Sequence, residues 1–113
     1  MANETKADRT ISLVLSTCPQ DAAERLSGML VSSGLAACVN ILPSVTSVYR
    51  WKGKVEKDTE ALLVIKCAAG NYAALEQRLR AEHPYELPEI ITVPEVGGLP
   101  AYLQWVSDPE QTL

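Results

Sequence analysis

The run LAACVNILPSVTSVYRWKGKVEKDTEALLVIKC, residues 35–67, constrains this chain more than any other stretch. It is rich in Val, Ile, Thr and Tyr, residues that suit a pleated backbone. Its one polar two-residue break with a glycine is Lys52-Gly53, which reads as the tip of a hairpin. Pro43-Ser44 interrupts the first half, and a proline inside a strand implies a bulge or an edge position. Fourteen residues of returning strand, 54–67, would span about 45 Å at ~3.3 Å per residue. Helices of twelve to fourteen residues cover only about 20 Å at ~1.5 Å each. Any helices that flank this hairpin must therefore leave its far end uncovered.

The flanking segments supply two such helices. ISLVLST (11–17) is β-branched and apolar and predicts a buried strand. Cys18-Pro19 then opens a helix, with Pro19 at the first helical position and Asp21 at the positive end of the dipole. Ala22, Leu26, Met29, Leu30 and Ser33 recur at helical spacing up to Gly34, which supplies the stop. Gly70-Asn71 marks a second turn, with Asn71 as cap for a helix carrying Tyr72, Leu75, Leu79 and Glu82 on one side. Pro84 ends that helix, residues 89–94 form a short strand, and Leu99, Tyr102, Leu103 and Val106 make the stripe of a last short helix. The order β-α-β-β-α-β plus a C-terminal helix is the α+β, ferredoxin-like arrangement, with both helices on one face of an antiparallel sheet. Residues 1–10 read as a flexible tail and 11–113 as one domain. The overhanging hairpin carries Val45, Val48, Tyr49, Trp51 and Val55, and burying them in a symmetric oligomer is the simplest remedy.

Composition narrows the function. A net charge of −4 with no basic run argues against nucleic acid as a partner. No apolar stretch approaches the length of a membrane span. The opening MANETKADR is polar and lacks an apolar signal core, so a cytoplasmic location is expected. Cys18, Cys38 and Cys67 form no CxxC pair and are expected as free thiols. Neither GxSxG, a P-loop nor HExxH is present, and one histidine without a clear orienting partner supports no Cys-His nucleophile; an enzyme is not expected.

In this topology the end of the first strand (Ser16, Thr17, Cys18), the end of the second helix (His83) and the start of the last strand (Glu89) gather at one end, where the hairpin departs. Cys18, His83, Glu86, Glu89 and the hydroxyls of Ser16 and Tyr85 are then candidates for one cleft. Thiolate, imidazole and carboxylate are ligands for copper or zinc. The plainer reading has His83 capping the carbonyl end of its helix and the glutamates solvated. Glu60 and Lys66 share a strand face with Leu62 and Val64, about 20 Å apart, too far to pair within one chain. They mark either a sheet edge or a polar group at a subunit contact or ligand pocket. Cys38 and Cys67 fall at the opposite end, across from each other if Pro43 introduces no bulge.

Together LAACVNILPSVTSVYRWKGKVE (35–56), the strand with Lys66, EHPYELPEIITVP (82–94) and YLQWV (102–106) resemble the CutA divalent-cation tolerance proteins over nearly the whole chain. The resemblance implies a ferredoxin-like fold assembled as a compact homotrimer, similar in architecture to PII signalling proteins, and a link to copper tolerance and copper binding. In copper-binding members a cysteine near the end of the first strand and one or two histidines before the Pro-Tyr pair are taken as ligands. Ser16 stands at that cysteine position here, with Cys18 two residues on, and Glu82 precedes His83. The implied metal residues are therefore His83, Cys18 and Glu89, for copper or another divalent cation. The alternative is a PII-like signalling or scaffold trimer that holds a small ligand in clefts lined by Tyr49, Trp51, Glu60, Lys66, Tyr85 and Glu89.

Overall fold

The first strand, β1 (Ile11–Cys18), lies at the centre of a four-stranded sheet of order β2-β3-β1-β4, with β2 (Cys38–Trp51), β3 (Lys54–Ala68) and β4 (Ile91–Val93). Both pairings of β1, and that of β2 with β3, are antiparallel. The structure, a computed structural model, describes residues 10–94 and 96–110, so the expected N-terminal tail falls outside it apart from Thr10. Among the described residues three α-helices complete the fold: α1 (Ala23–Ser32), α2 (Tyr72–Glu82) and α3 (Pro100–Ser107). This is the expected ferredoxin-like order.

Alternation along β1 and β3 decides the core. Val14, Ser16 and Cys18 on one side of β1, and Ala61, Leu63, Ile65 and Cys67 on the same side of β3, are all buried. Leu26 and Leu30 of α1 and Leu75 and Leu79 of α2 close over them, each with no exposed surface. At the surface Glu82 of α2 meets Arg25 of α1 at 3.7 Å and Arg78 at 3.3 Å, exposed pairs that add little stability. Helix α3 packs against β1 and β3 and buries Val106, but Leu99 and Tyr102 of its expected stripe stay exposed.

Several local expectations change in detail. Pro19 precedes a short 3₁₀ turn (Gln20–Ala22) rather than opening α1 directly. Asn71 makes no cap; its amide donates to the Gly34 carbonyl at 3.4 Å instead. Gly34 does stop the first helix, at φ +79°, where L-residues are disfavoured. Strand β4 is three residues, shorter than the expected 89–94, because it pairs with Leu13–Leu15 alone.

The hairpin is as long as expected and projects as an arm, giving the molecule extents of 53 × 24 × 23 Å. Lys52 and Gly53 both take positive φ, 51° and 80°, the signature of a type I′ turn whose twist matches the strands. At Pro43-Ser44 the register slips: Leu42 pairs with Leu62 but Val45 pairs with Glu60, so two residues oppose Ala61 alone. Cys38 consequently faces Lys66, not Cys67, which sits opposite Ser12. All three cysteines are free, and burial raises the Cys67 thiol to about 11.

Two core substitutions should behave in opposite ways. Leu63→Ala leaves a cavity under both helices and should cost about 2–5 kcal/mol. Ser16→Ala should be neutral or stabilising, because the Ser16 hydroxyl is buried without a hydrogen-bond partner, a burden of about 1–3 kcal/mol. Urea melts of both variants at one protein concentration check the pair; a large loss in Ser16→Ala would show that the hydroxyl has a structural role.

Candidate functional site

Strand β1 ends with Cys18 opposite Ala61, so the next residues of β3 toward the tip, Glu60 and Asp58, have no strand beside them on that flank. The loop Pro84–Glu89 takes the vacant place. Between that loop and the arm lies an open cleft of about 820 Å³, lined by Thr17, the β2 stretch around Tyr49 and Trp51, Asp58, Glu60 and residues 84–89.

The bulge decides which side chains face this cleft. Below it, Cys38, Asn40 and Leu42 share a face with Lys66, Val64 and Leu62; above it, Val45, Ser47, Tyr49 and Trp51 share that face with Glu60, Asp58, Glu56 and Lys54. One extra residue thus turns the odd-numbered side chains of outer β2 toward the site. Gln20, in the turn after β1, holds the bulge: its Oε1 accepts from the Ser44 N–H at 2.6 Å and from the Ser44 hydroxyl at 3.3 Å.

Two phenols meet two carboxylates in the cleft. The Tyr85 hydroxyl donates to Glu60 Oε2 at 2.6 Å, and the Tyr49 hydroxyl donates to Asp58. Glu60 is only 6% exposed. Glu86 and Glu89 add two further acids, and no Lys or Arg lies among the described lining residues.

His83 sits behind this wall rather than in it. It is 7% exposed and its backbone N–H closes α2 on the Leu79 carbonyl at 2.9 Å. The ring does not cap that helix. Nε2 lies 2.8 Å from the Thr17 carbonyl, and Nδ1 accepts from the Tyr85 N–H at 3.0 Å. The rings of His83 and Tyr85 are 4.8 Å apart and tilted by 51°.

The residues singled out from the sequence therefore divide. Tyr49, Trp51, Glu60, Tyr85 and Glu89 come together in the cleft. Cys18 is fully buried against the helices; burial foremost, then the charges of Glu60 and Asp21, pushes its thiol up. Lys66 lies at the other end of the sheet, where its ammonium bonds the Asn40 side chain. Among the described residues no group of three or more His, Cys, Asp and Glu side chains is gathered as a metal site, so His83, Cys18 and Glu89 do not converge within one chain. Asp58 was missed. Its signal is strand alternation, since it stands two residues from Glu60 and so shares that residue's face.

All four tyrosines ionise late. The bond to Asp58 raises Tyr49 to about 12, and burial with the Glu76 contact raises Tyr72 to about 12. Burial first, then the Glu60 bond, lifts Tyr85 higher still, and burial lifts Tyr102. Phenols whose folded values lie above their unfolded ones stabilise the fold fully below about pH 10, and that contribution is lost as pH rises through the folded values. Phenolate absorbance should accordingly appear above the ordinary range in native protein and near pH 10 in denaturant. A native titration with a full tyrosine step near pH 10 would contradict both cleft bonds.

Comparison with known proteins gives one consistent result. The profile of the CutA1 divalent ion tolerance protein family matches residues 12–109. A crystal structure of CutA from Xylella fastidiosa is 48% identical with a TM-score of 0.82, covering 85% of this chain and 93% of that one. The divalent-cation tolerance protein CutA of Thermus thermophilus is 42% identical, over 85% of this chain and 94% of the relative. The PII-like protein CutA from Nostoc, in its apo form, is 37% identical with a TM-score of 0.79, covering 84% and 92%. The chain spans between 50% and 72% of the length of the animal and plant relatives it matches, with 37–45% identity. Match, fold and arm agree, and the chain belongs to the CutA1 divalent ion tolerance protein family.

Proposed function

We propose that this chain is a cytoplasmic divalent-cation tolerance protein, without catalytic activity, that works as a homotrimer and takes copper or another divalent cation. The observation that carries the reading is the family match across residues 12–109, together with relatives named divalent-cation tolerance proteins. The arm supports assembly: Val48 and Val55 are 65% and 67% exposed, with Leu42, Tyr49 and Trp51 also open, a surface that calls for a partner of the same kind. The acid-lined cleft supports a cation. Of the expected ligands Glu89 is the exposed one, a carboxylate oxygen donor of the kind divalent cations accept. Ligation by His83 or Cys18 would need the ring to give up a backbone bond and the thiol to leave the core.

A second reading, a PII-like trimer that binds a small ligand for signalling, is favoured by the aromatic share of the same cleft, Tyr49, Trp51 and Tyr85.

Light scattering at micromolar concentration should give three times the mass of the 113-residue chain, and a monomer would remove the trimer from the reading. Calorimetric titration with copper tests the ligand. Glu89→Gln should weaken binding about tenfold or more, ~1.4 kcal/mol, while Cys38→Ser, at the far end of the sheet, should leave it unchanged. Unaltered copper affinity in Glu89→Gln would move the small-ligand reading ahead.

A further inference from the structure

We infer that His83 is a positioning residue, held as the neutral Nε2–H tautomer, that fixes the loop wall of the cleft and takes no part as a metal ligand. The inference builds on the cation reading only in its last clause; the tautomer stands on hydrogen bonding alone. A backbone N–H can only donate and a carbonyl can only accept. The Tyr85 N–H points at Nδ1 over 3.0 Å, so that nitrogen must present its lone pair. The Thr17 carbonyl lies 2.8 Å from Nε2, so that nitrogen must carry the proton. Both ring nitrogens are thereby committed to main chain, in a site that leaves the residue 7% exposed. Neither lone pair nor space remains for an ion unless the wall is dismantled.

The sequence around the ring explains why the wall needs such a strut. Pro84 has no N–H, so Tyr85 supplies the first donor after the helix, and α2 has already ended on the His83 amide. The ring then ties that donor to the end of β1, an element 66 residues earlier in the chain. Tyr85, anchored by its amide and by ring contact, carries its hydroxyl to Glu60 on β3 at 2.6 Å. One imidazole thus sets the distance between β1, the loop and β3, and with it the placing of Glu60 and Glu89 across the cleft. The chemistry available to a cation there is carboxylate and phenol oxygen.

The chain has a single histidine, which makes the test direct. A long-range ¹H–¹⁵N spectrum of the native protein near neutral pH should show Nδ1 unprotonated and Nε2 protonated; the opposite tautomer, or a rapidly averaged pair, overturns the assignment. Zinc ion, a diamagnetic probe, should produce binding heat without moving either ring-nitrogen signal. A zinc-induced shift at Nδ1 or Nε2 overturns the exclusion of His83 from the ligand set. Absence of any heat would count against the cation reading while leaving the tautomer result to decide the strut. Hydrogen exchange provides the positional readout: His83→Ala should lower protection of the Tyr85 amide about tenfold or more. His83→Asn, whose side-chain oxygen can accept from the N–H two residues on, should restore it. Equal protection in all three proteins would show that the ring does not hold the loop.

Discussion

A strand rises more than twice as far per residue as a helix, and this mismatch governs the molecule. The β2 and β3 ladders have 14 and 15 residues, whereas α1 and α2 have 10 and 11. The helices can cover only the half of the hairpin near β1. There the sheet has a buried face, alternating side chains and a core built mainly of Leu and Ala with Val14, Ile65, Cys18 and Cys67. Beyond β1 the same two strands continue with no layer to pack against, which is why Val48 and Val55 lie open. Core, cleft and apolar arm are three outcomes of one difference in pitch.

The cleft forms at the boundary between these two regimes. Strand β1 stops, β3 continues, and the loop after α2 fills the flank that β1 vacates. Two small devices keep this boundary in register. The bulge at Pro43-Ser44 rotates the outer part of β2 so that Tyr49 and Trp51 join Asp58 and Glu60 on one face. The His83 ring holds the loop against the end of β1. Neither device stores much energy, since each amounts to a pair of hydrogen bonds of modest net worth. Their effect is geometric.

Much of this was legible in the residues. β-branched runs, the Lys52-Gly53 tip, Gly34 and Pro84 marked the elements, because each acts through local backbone preference. The overhang followed from counting. Topology brought Tyr85, Glu86 and Glu89 to the end where the hairpin leaves; Tyr49 and Trp51 were drawn in by the family resemblance, together with Lys66, which lies at the other end of the sheet. What stayed hidden depended on contacts between distant segments. Proline at 43 signalled a bulge or an edge, and the structure has both, but the direction of the slip and its effect on Cys38, Tyr49 and Trp51 needed the pairing itself. The histidine drew attention as a possible ligand because sequence shows a donor's identity and not its partners; Thr17 and Tyr85 offer their backbone groups, which no pattern of side chains reveals.

In the single chain the hairpin is mechanically a cantilever, a beam fixed at one end. Any sideways push on the tip at Lys52-Gly53 produces its greatest bending moment at the root, where the strands leave the body. That root is the bulge, where the ladder is interrupted between Leu42 and Val45. Gln20 grips it from the neighbouring turn through both the amide and the hydroxyl of Ser44. Both bonds converge on one oxygen, Gln20 Oε1, which approaches from outside the hairpin. Small rotations at this clamp would be magnified along the arm, so the aim of Tyr49 and Trp51 is set at Gln20, a residue that belongs to neither strand.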